Sequence, residues 1–230
     1  MATRPLFIPK EGEVGVTEKL LEFKWFPGMA ASQKKKSIAS LHESAKSLGY
    51  SRLLEVSSKS ESHLGIELSA FNLTITTKKN NKTFSVESAF QASKVFERGG
   101  PYKDILLKES LEAKRDVRLK ESGNLIAFRF FGEDFPVIPR TYFYDWVYIN
   151  ALVQNPGLCE SVLEFDAFSD IEFNPKKSVN CQAHAIALFI SLKKNHILGK
   201  ALSSSSDFLS ICDQHYAEQR RNITVQDGII

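Results

Sequence analysis

A carboxylate, an amide and an amine stand within one short stretch of the sequence, at Glu87, Gln91 and Lys94. Residues three or four positions apart share one face of an α-helix, so a helix here would place the three groups in one row. A carboxylate can stabilise a developing positive charge or transfer a proton, and an amine can clamp negative charge or act as a nucleophile. The alternative is a solvated face that holds one weak ion pair.

The same stretch carries the signals of a helix start. Ser85 can cap the helix, because its hydroxyl can accept a hydrogen bond from a backbone N–H one turn later. Glu87 then lies in the first turn, where the helix dipole favours negative charge. A Gly-Gly-Pro run at 99–101 closes the segment. A β-hairpin predicted over residues 72–84 leads directly into Ser85, and so presents the helix N-terminus.

A second pair of acids follows at Asp170 and Glu172. Residues 167–173 are predicted as a strand, in which alternate side chains point to the same face. The two carboxylates would repel each other there, and this would keep a proton on one of them nearer neutral pH. The alternative is an exposed strand edge, where acidic side chains are common.

A basic loop and a long helix are predicted after these acids. Lys176 and Lys177 precede a helix predicted over residues 179–195, and two ammonium groups ahead of a helix N-terminus can bind a diphosphate. Asn180 would lie in the first turn of this helix. Tyr144 and Trp146 belong to another helix, predicted over residues 142–154, and either ring could stack on a base or pack in the core.

Composition limits the class of protein. The chain has 230 residues, a net charge of +3 and three widely spaced cysteines, which fits one cytoplasmic domain without disulfides. The charge permits a nucleic-acid partner without requiring one. No apolar run approaches the roughly 20 residues of a membrane span. The lone Cys181–His184 pair lacks the further ligands of a metal site, so we expect neither a metal nor a cofactor.

The predicted elements give a single helix-rich α+β domain with a small antiparallel sheet, formed by segments before Ser85, near 124 and near 167. Its core is predicted over about 20–198. The remaining predicted elements are strands at 20–26, 53–56 and 124–131, helices at 32–48, 102–108, 110–123 and 207–220, and a serine linker at 203–206.

The run Ser-x-Glu-x-x-Phe-Gln-x-x-Lys at 85–94 resembles the signature helix of the NADAR (NAD- and ADP-ribose-linked) superfamily of N-glycosidases. Three further motifs add to the resemblance: Phe-Lys-Trp-Phe-Pro-Gly at 23–28, Phe-Tyr-Asp-Trp at 143–146 and Asp-Ile-Glu-Phe-Asn-Pro-Lys-Lys-Ser at 170–178. The whole pattern is similar to the branch found beside guanine-specific DNA ADP-ribosyltransferase toxins of the DarT class. The chain departs from the riboflavin-pathway members at Ser88, at Phe173 and in the loop 174–177.

The resemblance implies an antitoxin enzyme that removes ADP-ribose from guanine in DNA and so reverses a cognate DarT-type toxin. It assigns the catalytic carboxylate to Glu87, a clamping or Schiff-base role to Lys94, and the second acid to Asp170 or Glu172. Substrate binding falls to Phe71, Asn72, Gln91, Tyr144, Trp146, Phe173, Lys176, Lys177 and Asn180.

Two other classes of protein fit the same residues. A non-catalytic module could hold ADP-ribose or the toxin and neutralise it by sequestration. A general nucleic-acid-binding protein could use the lysine clusters at 34–36 and 114–120, and would bind DNA in a strongly salt-dependent way.

Overall fold

The computed structural model describes residues 1–28 and 30–219, which fold into helices packed around three small sheets. The strands are β1 (Ala2–Pro9), β2 (Val16–Phe23), β3 (Leu53–Glu55), β4 (Thr74–Thr76), β5 (Thr83–Ser85), β6 (Lys94–Phe96), β7 (Leu125–Phe130), β8 (Glu133–Phe135) and β9 (Ala167–Ser169). The helices are α1 (Ala31–Lys46), α2 (His63–Glu67), α3 (Val86–Ala92), α4 (Ser110–Lys114), α5 (Arg118–Glu121), α6 (Tyr142–Val153), α7 (Pro156–Ser161), α8 (Gln182–Lys194), α9 (Leu198–Ala201) and α10 (Ser205–Glu218). The predicted α+β class is confirmed.

The largest sheet has the strand order β2-β1-β9-β3. Strands β1 and β2 pair antiparallel along their full length. Strand β9 runs parallel to β3, and its only ladder pair with β1 is at Phe7. The sequence analysis did not predict β1, because Pro5 and Pro9 argue against a paired strand. The two prolines are tolerated in β1 because one edge of this strand makes almost no ladder hydrogen bonds.

The other two sheets are antiparallel. Strands β4 and β5 form the predicted hairpin, and β5 leads without a break into α3. Strands β6, β7 and β8 form the third sheet. The three segments predicted to share a sheet therefore lie in three different sheets, since nothing local in a short strand specifies its partner.

Helix α8 runs through the centre of the core. Every residue from 183 to 192 is buried, which is the pattern of a helix surrounded by other elements on all sides. Helix α6 lies beside it and is also mostly buried. The described residues contain no helix with both the length and the hydrophobicity to cross a bilayer.

The C-terminal helix α10 also belongs to this core. It begins at Ser205, because the Ser204 hydroxyl caps it by accepting a hydrogen bond from the Asp207 N–H at 3.0 Å. The serine run at 203–206 therefore includes a helix start. Phe208 and Tyr216 pack against Tyr142 of α6. Residue 220, the last of the predicted helix 207–220, lies outside the described residues.

The polar segment after residue 102 forms three short pieces instead of two helices. A 3₁₀ turn spans Lys103–Leu107, and α4 and α5 follow. The Asp116 carboxylate separates α4 from α5, since it accepts hydrogen bonds from the backbone N–H and the guanidinium of Arg118 and from the Lys108 ammonium. This break turns α4 towards α3.

Candidate functional site

The first turn of α3 is held rigidly. Ser85 is its cap, as predicted, and accepts a hydrogen bond from the Ser88 N–H at 3.0 Å. The Ser110 hydroxyl of α4 donates to Ser85 Oγ at 2.7 Å, and the Glu87 N–H donates to the Ala70 carbonyl at 2.9 Å. All seven residues of α3 are buried. The Glu87 side chain is therefore fixed by its own helix and by two neighbouring segments.

The Glu87 carboxylate is buried but faces a cavity. Gln91 lies one turn later on the same face, as predicted, and its Nε2 donates to Glu87 Oε1 at 2.8 Å. The Lys114 ammonium lies 4.0 Å from the same oxygen. Lys114 is mostly exposed, so this ion pair contributes little to stability. It does add a positive charge beside a buried carboxylate.

Lys94 does not continue the predicted row. Helix α3 ends at Ala92, and Lys94 begins β6, where it pairs with Phe128. Its ammonium nevertheless lies 4.8 Å from the centre of the Phe90 ring. Burial lowers the pKa of Lys94 to about 8, a shift that the Glu87 charge opposes and the Lys114 charge increases. Lys94 thus influences Glu87 from a neighbouring strand.

Asp170 stands at another wall of the cavity. Strand β9 ends at Ser169, so the strand prediction over 167–173 is wrong beyond that residue. Asp170 starts a turn in which its Oδ1 accepts hydrogen bonds from the N–H groups of Glu172 and Phe173, at 2.9 and 3.1 Å. Asp170 and Glu172 therefore do not share a strand face, although both line the cavity. Asp170 is buried and Glu172 is exposed.

The surroundings of Asp170 favour its protonated form. Burial raises the pKa of Asp170 to about 8, and the nearby Glu55 carboxyl adds to the shift. Glu55 is itself buried and accepts hydrogen bonds from the Ile171 N–H and from the hydroxyls of Ser169 and Ser57, at 2.8, 2.6 and 2.7 Å. Burial also raises the pKa of Glu55. Asp170 is therefore mostly protonated at neutral pH.

We expect the Glu55→Gln substitution to lower the pKa of Asp170, because it removes the neighbouring carboxyl that can repel the ionised form. An NMR titration of aspartate carboxyl carbons would measure the midpoint directly. Glu172→Gln is the matched control, since Glu172 is exposed and contributes less to the Asp170 shift. An unchanged Asp170 midpoint in folded Glu55→Gln protein would contradict this assignment.

The cavity has a volume of about 300 Å³. This is near the lower end of the roughly 300–1,000 Å³ of small-molecule sites, enough for a sugar and part of its substituents. Eight of the predicted site residues line it: Phe71, Glu87, Gln91, Tyr144, Asp170, Glu172, Phe173 and Asn180. Residues from four separate regions of the sequence therefore meet at one place.

Four predicted binding residues lie elsewhere. Asn72 is exposed, and its Nδ2 donates a hydrogen bond to the Ile66 carbonyl at 2.8 Å. Trp146 packs edge-on against Phe208 of α10, with 5.5 Å between the ring centres. Lys176 and Lys177 are exposed in a turn organised by Asn174. None of these four side chains lines the cavity, and their part in substrate binding stays a prediction.

The two lysines miss the site because α8 begins at Gln182 and not near 179. The Gln182 side chain is tied to the cavity wall instead, since its Oε1 accepts from the Ala70 N–H and its Nε2 donates to the Val56 carbonyl, both at 2.7 Å. Asn180 lies in irregular chain before the helix. Asn180 still reaches the cavity.

Lys114 and Glu55 are the main site residues that the sequence analysis did not assign. Lys114 was one of several basic residues in a polar segment, and only the packing of α4 on α3 selects it. Its ammonium also lies 5.2 Å from the centre of the Phe71 ring. Glu55 ends a short apolar strand, and nothing in its local sequence connects it with Asp170.

Aromatic side chains form the apolar walls. Tyr144 meets Phe90 edge-on at 5.3 Å between ring centres, and Phe173 packs on Phe7 at 6.0 Å. Burial raises the pKa of Tyr144 well above its ordinary value. The site therefore combines the buried Glu87 carboxylate, flanked by ammonium groups, with a buried, protonated Asp170. Such a pair can stabilise a transient cation and donate a proton to a leaving group.

Comparison with known families adds one finding. A family model described as DarT1-associated NADAR antitoxin matches residues 2–222 of the chain. No curated protein matches the chain.

Proposed function

The chain belongs to the DarT1-associated NADAR antitoxin family, and from this premise we propose that it is an N-glycosidase that removes ADP-ribose from guanine bases in DNA. One observation carries the proposal: the buried carboxyl groups of Glu87 and Asp170 line a single small cavity with aromatic walls. Burial raises the pKa of Asp170 to about 8, which favours its protonated form. The enzyme would act in the cytoplasm and reverse the modification made by a DarT-type toxin. It would need no metal and no cofactor for this reaction.

The bond to be broken joins C1 of the distal ribose to the exocyclic nitrogen of guanine. As it breaks, positive charge develops on C1 and the ring oxygen, and the Glu87 carboxylate stabilises that charge. Asp170 donates its proton to the departing nitrogen. Water then adds its oxygen to C1 and returns a proton to the Asp170 carboxylate. The products are intact guanine and ADP-ribose with a hydroxyl group on C1.

The experiment that tests this function is mass spectrometry of an oligonucleotide with one ADP-ribosylated guanine, incubated with the protein. The substrate is present in large excess over the protein. We expect complete conversion to the unmodified oligonucleotide and free ADP-ribose. Release of no more than one equivalent, or tight binding without release, would instead assign the protein to sequestration.

Lys94 can serve this reaction in two ways. As an ammonium it would clamp negative charge, and as a neutral amine, a form that becomes available because burial lowers its pKa to about 8, it could capture the opened sugar as a Schiff base. In both roles we expect Lys94→Ala to lower the rate of release by at least about tenfold. Lys200→Ala is the matched control, because Lys200 is exposed on α9, whereas the Lys94 ammonium packs on the ring of Phe90, which lines the cavity.

Borohydride reduction during turnover separates the two roles. A reduced ADP-ribosyl adduct on Lys94 would establish the Schiff base. Its absence, together with a rate largely retained by Lys94→Arg, would establish the charge role, since arginine keeps the positive charge but is not a nucleophile. Full activity of Lys94→Ala would remove Lys94 from the mechanism.

General nucleic-acid binding receives less support from the structure. Arg118 forms ion pairs with Asp104 and Asp116, and Lys108 also pairs with Asp116, so much of the positive charge around α4 and α5 is neutralised within the chain. In the other basic cluster, Lys35 lies 3.7 Å from Glu61. We therefore expect unmodified DNA to bind more weakly than the ADP-ribosylated oligonucleotide.

A further inference from the structure

Three buried polar atoms lack a hydrogen-bond partner among the residues that the structure describes: Ser69 Oγ, Gln91 Oε1 and Asn180 Oδ1. All three residues line the cavity that holds Glu87. Buried polar atoms without partners cost free energy and are uncommon in folded proteins. Their convergence on one cavity indicates that a ligand supplies the missing partners.

The orientation of the Gln91 amide is fixed by its neighbour. The Gln91 NH₂ group donates to Glu87 Oε1 at 2.8 Å, and an ionised carboxylate can only accept hydrogen bonds. The carbonyl end of the amide is therefore the free end, and a flipped amide would place two acceptors against each other. Gln91 is 7% exposed, so bulk water does not compensate for the missing bond. The ligand must offer a hydrogen-bond donor at this position.

We propose that Gln91 Oε1 accepts a hydrogen bond from the 2-hydroxyl of the ribose whose C1 lies at Glu87. This inference rests on the proposed function, because that reaction puts C1 beside Glu87. The carbon next to C1 is C2, which carries the nearest hydroxyl group of the ring. A single amide then joins the carboxylate to the sugar and aligns C1 with it. Ser69 Oγ and Asn180 Oδ1 offer further partners for donors of the same ligand.

The consequence is specificity for ribose over 2-deoxyribose at the reacting sugar. A site built to pair with a hydroxyl rejects an analogue that lacks it, because the buried protein group is then left unpaired. Hydrogen bonds to the 2-hydroxyl of a sugar also strengthen in the transition state of glycoside hydrolysis. Gln91 is thus a specificity-determining residue, and it also positions Glu87.

A cycle of two substrates and two proteins tests the proposal. The substrates are guanine oligonucleotides carrying ADP-ribose or ADP-ribose with a 2-deoxy distal sugar, and the proteins are the natural chain and Gln91→Met. The two sugars differ in intrinsic reactivity, but this difference is the same in both proteins and cancels when their substrate rate ratios are compared. We expect removal of the 2-hydroxyl to be at least about tenfold more harmful to the natural protein than to Gln91→Met.

One outcome would overturn the proposal, and two further variants secure its interpretation. An equal 2-deoxy effect in both proteins would overturn the role of Gln91, even if Gln91→Met is slower because Glu87 has lost its donor. Gln214→Met, which changes an exposed glutamine of α10 outside the cavity, is the matched control and should keep the full 2-deoxy effect. Should Gln91→Met fail to fold, Gln91→Ala removes the same acceptor without filling the cavity, and its result then decides the question.

Calorimetric binding of free ADP-ribose and its 2-deoxy analogue separates this inference from the proposed function. If the natural protein discriminates between the two and Gln91→Met does not, the hydroxyl contact stands even without turnover of DNA. If the natural protein releases ADP-ribose from DNA but neither assay shows discrimination that depends on Gln91, the function stands and this inference fails.

Discussion

Replacing Glu87 with glutamine is expected to lower the rate of ADP-ribose release by about a thousandfold or more. Glutamine has nearly the shape of glutamate, so the substitution removes the charge with little change in packing. The positive charge on C1 and the ring oxygen then has no buried anion beside it. Single-turnover kinetics on the ADP-ribosylated oligonucleotide would measure this loss without interference from product release.

Glu172→Gln is the matched control for this substitution. It removes a carboxylate from the same cavity, but Glu172 is exposed and partly solvated. We expect its rate to stay within about threefold of the natural protein, because an exposed charge is screened by water. Equal losses in the two variants would show that the cavity needs only overall negative charge. A fully active Glu87→Gln variant would remove Glu87 from the chemistry.

The second large effect is expected from Asp170→Asn, which should slow release by about a hundredfold or more. Asparagine fills the same space and can still accept the N–H bonds of Glu172 and Phe173. It has no acidic proton for the departing guanine nitrogen. The measurement is again the single-turnover rate, compared with that of Glu87→Gln.

The pH dependence of the release rate gives a second test of Asp170 as the acid. Asp170 acts as an acid and must be protonated, and its pKa is raised to about 8. The rate of the natural protein should therefore be highest below that pH and fall as the pH rises through it. In Asp170→Asn this fall should be lost, whereas Lys94→Arg, which replaces the other group with a pKa of about 8, should leave it in place. A fall that persists unchanged in Asp170→Asn would assign the alkaline titration to another group.

Local sequence was sufficient to predict the start of α3. The capping hydroxyl of Ser85, the acid in the first turn and the amide one turn later are all neighbours along the chain, so backbone geometry alone brings them together. The same reasoning failed for Lys94, because α3 ends where the chain pairs with β7. That pairing is a long-range contact, and it overrides the helical periodicity.

The cavity wall around Asp170 shows why the rest of the site could not be predicted from the sequence. The strand pattern of 167–173 correctly indicated β9, but the turn that follows depends on backbone N–H groups that bond to Asp170 itself. The proximity of Glu55 to Asp170 comes from the parallel pairing of β3 with β9, two strands far apart in the sequence. Lys114 reaches Glu87 only because α4 packs on α3.

Three predicted binding residues lie off the cavity because their side chains have other environments. The Trp146 ring is large enough to stack on a base, but it packs against Phe208 of α10 instead. This long-range contact determines the position of Trp146. Lys176 and Lys177 would have met a helix N-terminus had α8 begun near 179. The Asn174 turn and the bonds of Gln182 move that start beyond them.

The most direct measurement is a crystal structure of Glu87→Gln bound to an oligonucleotide that carries ADP-ribosylated guanine. The substitution should slow release enough for the intact substrate to be trapped. We predict that C1 of the distal ribose lies in the cavity beside residue 87, with the guanine exocyclic nitrogen within hydrogen-bonding distance of Asp170. ADP-ribose bound elsewhere on the surface, with the cavity unoccupied, would contradict the assignment of this cavity as the catalytic site.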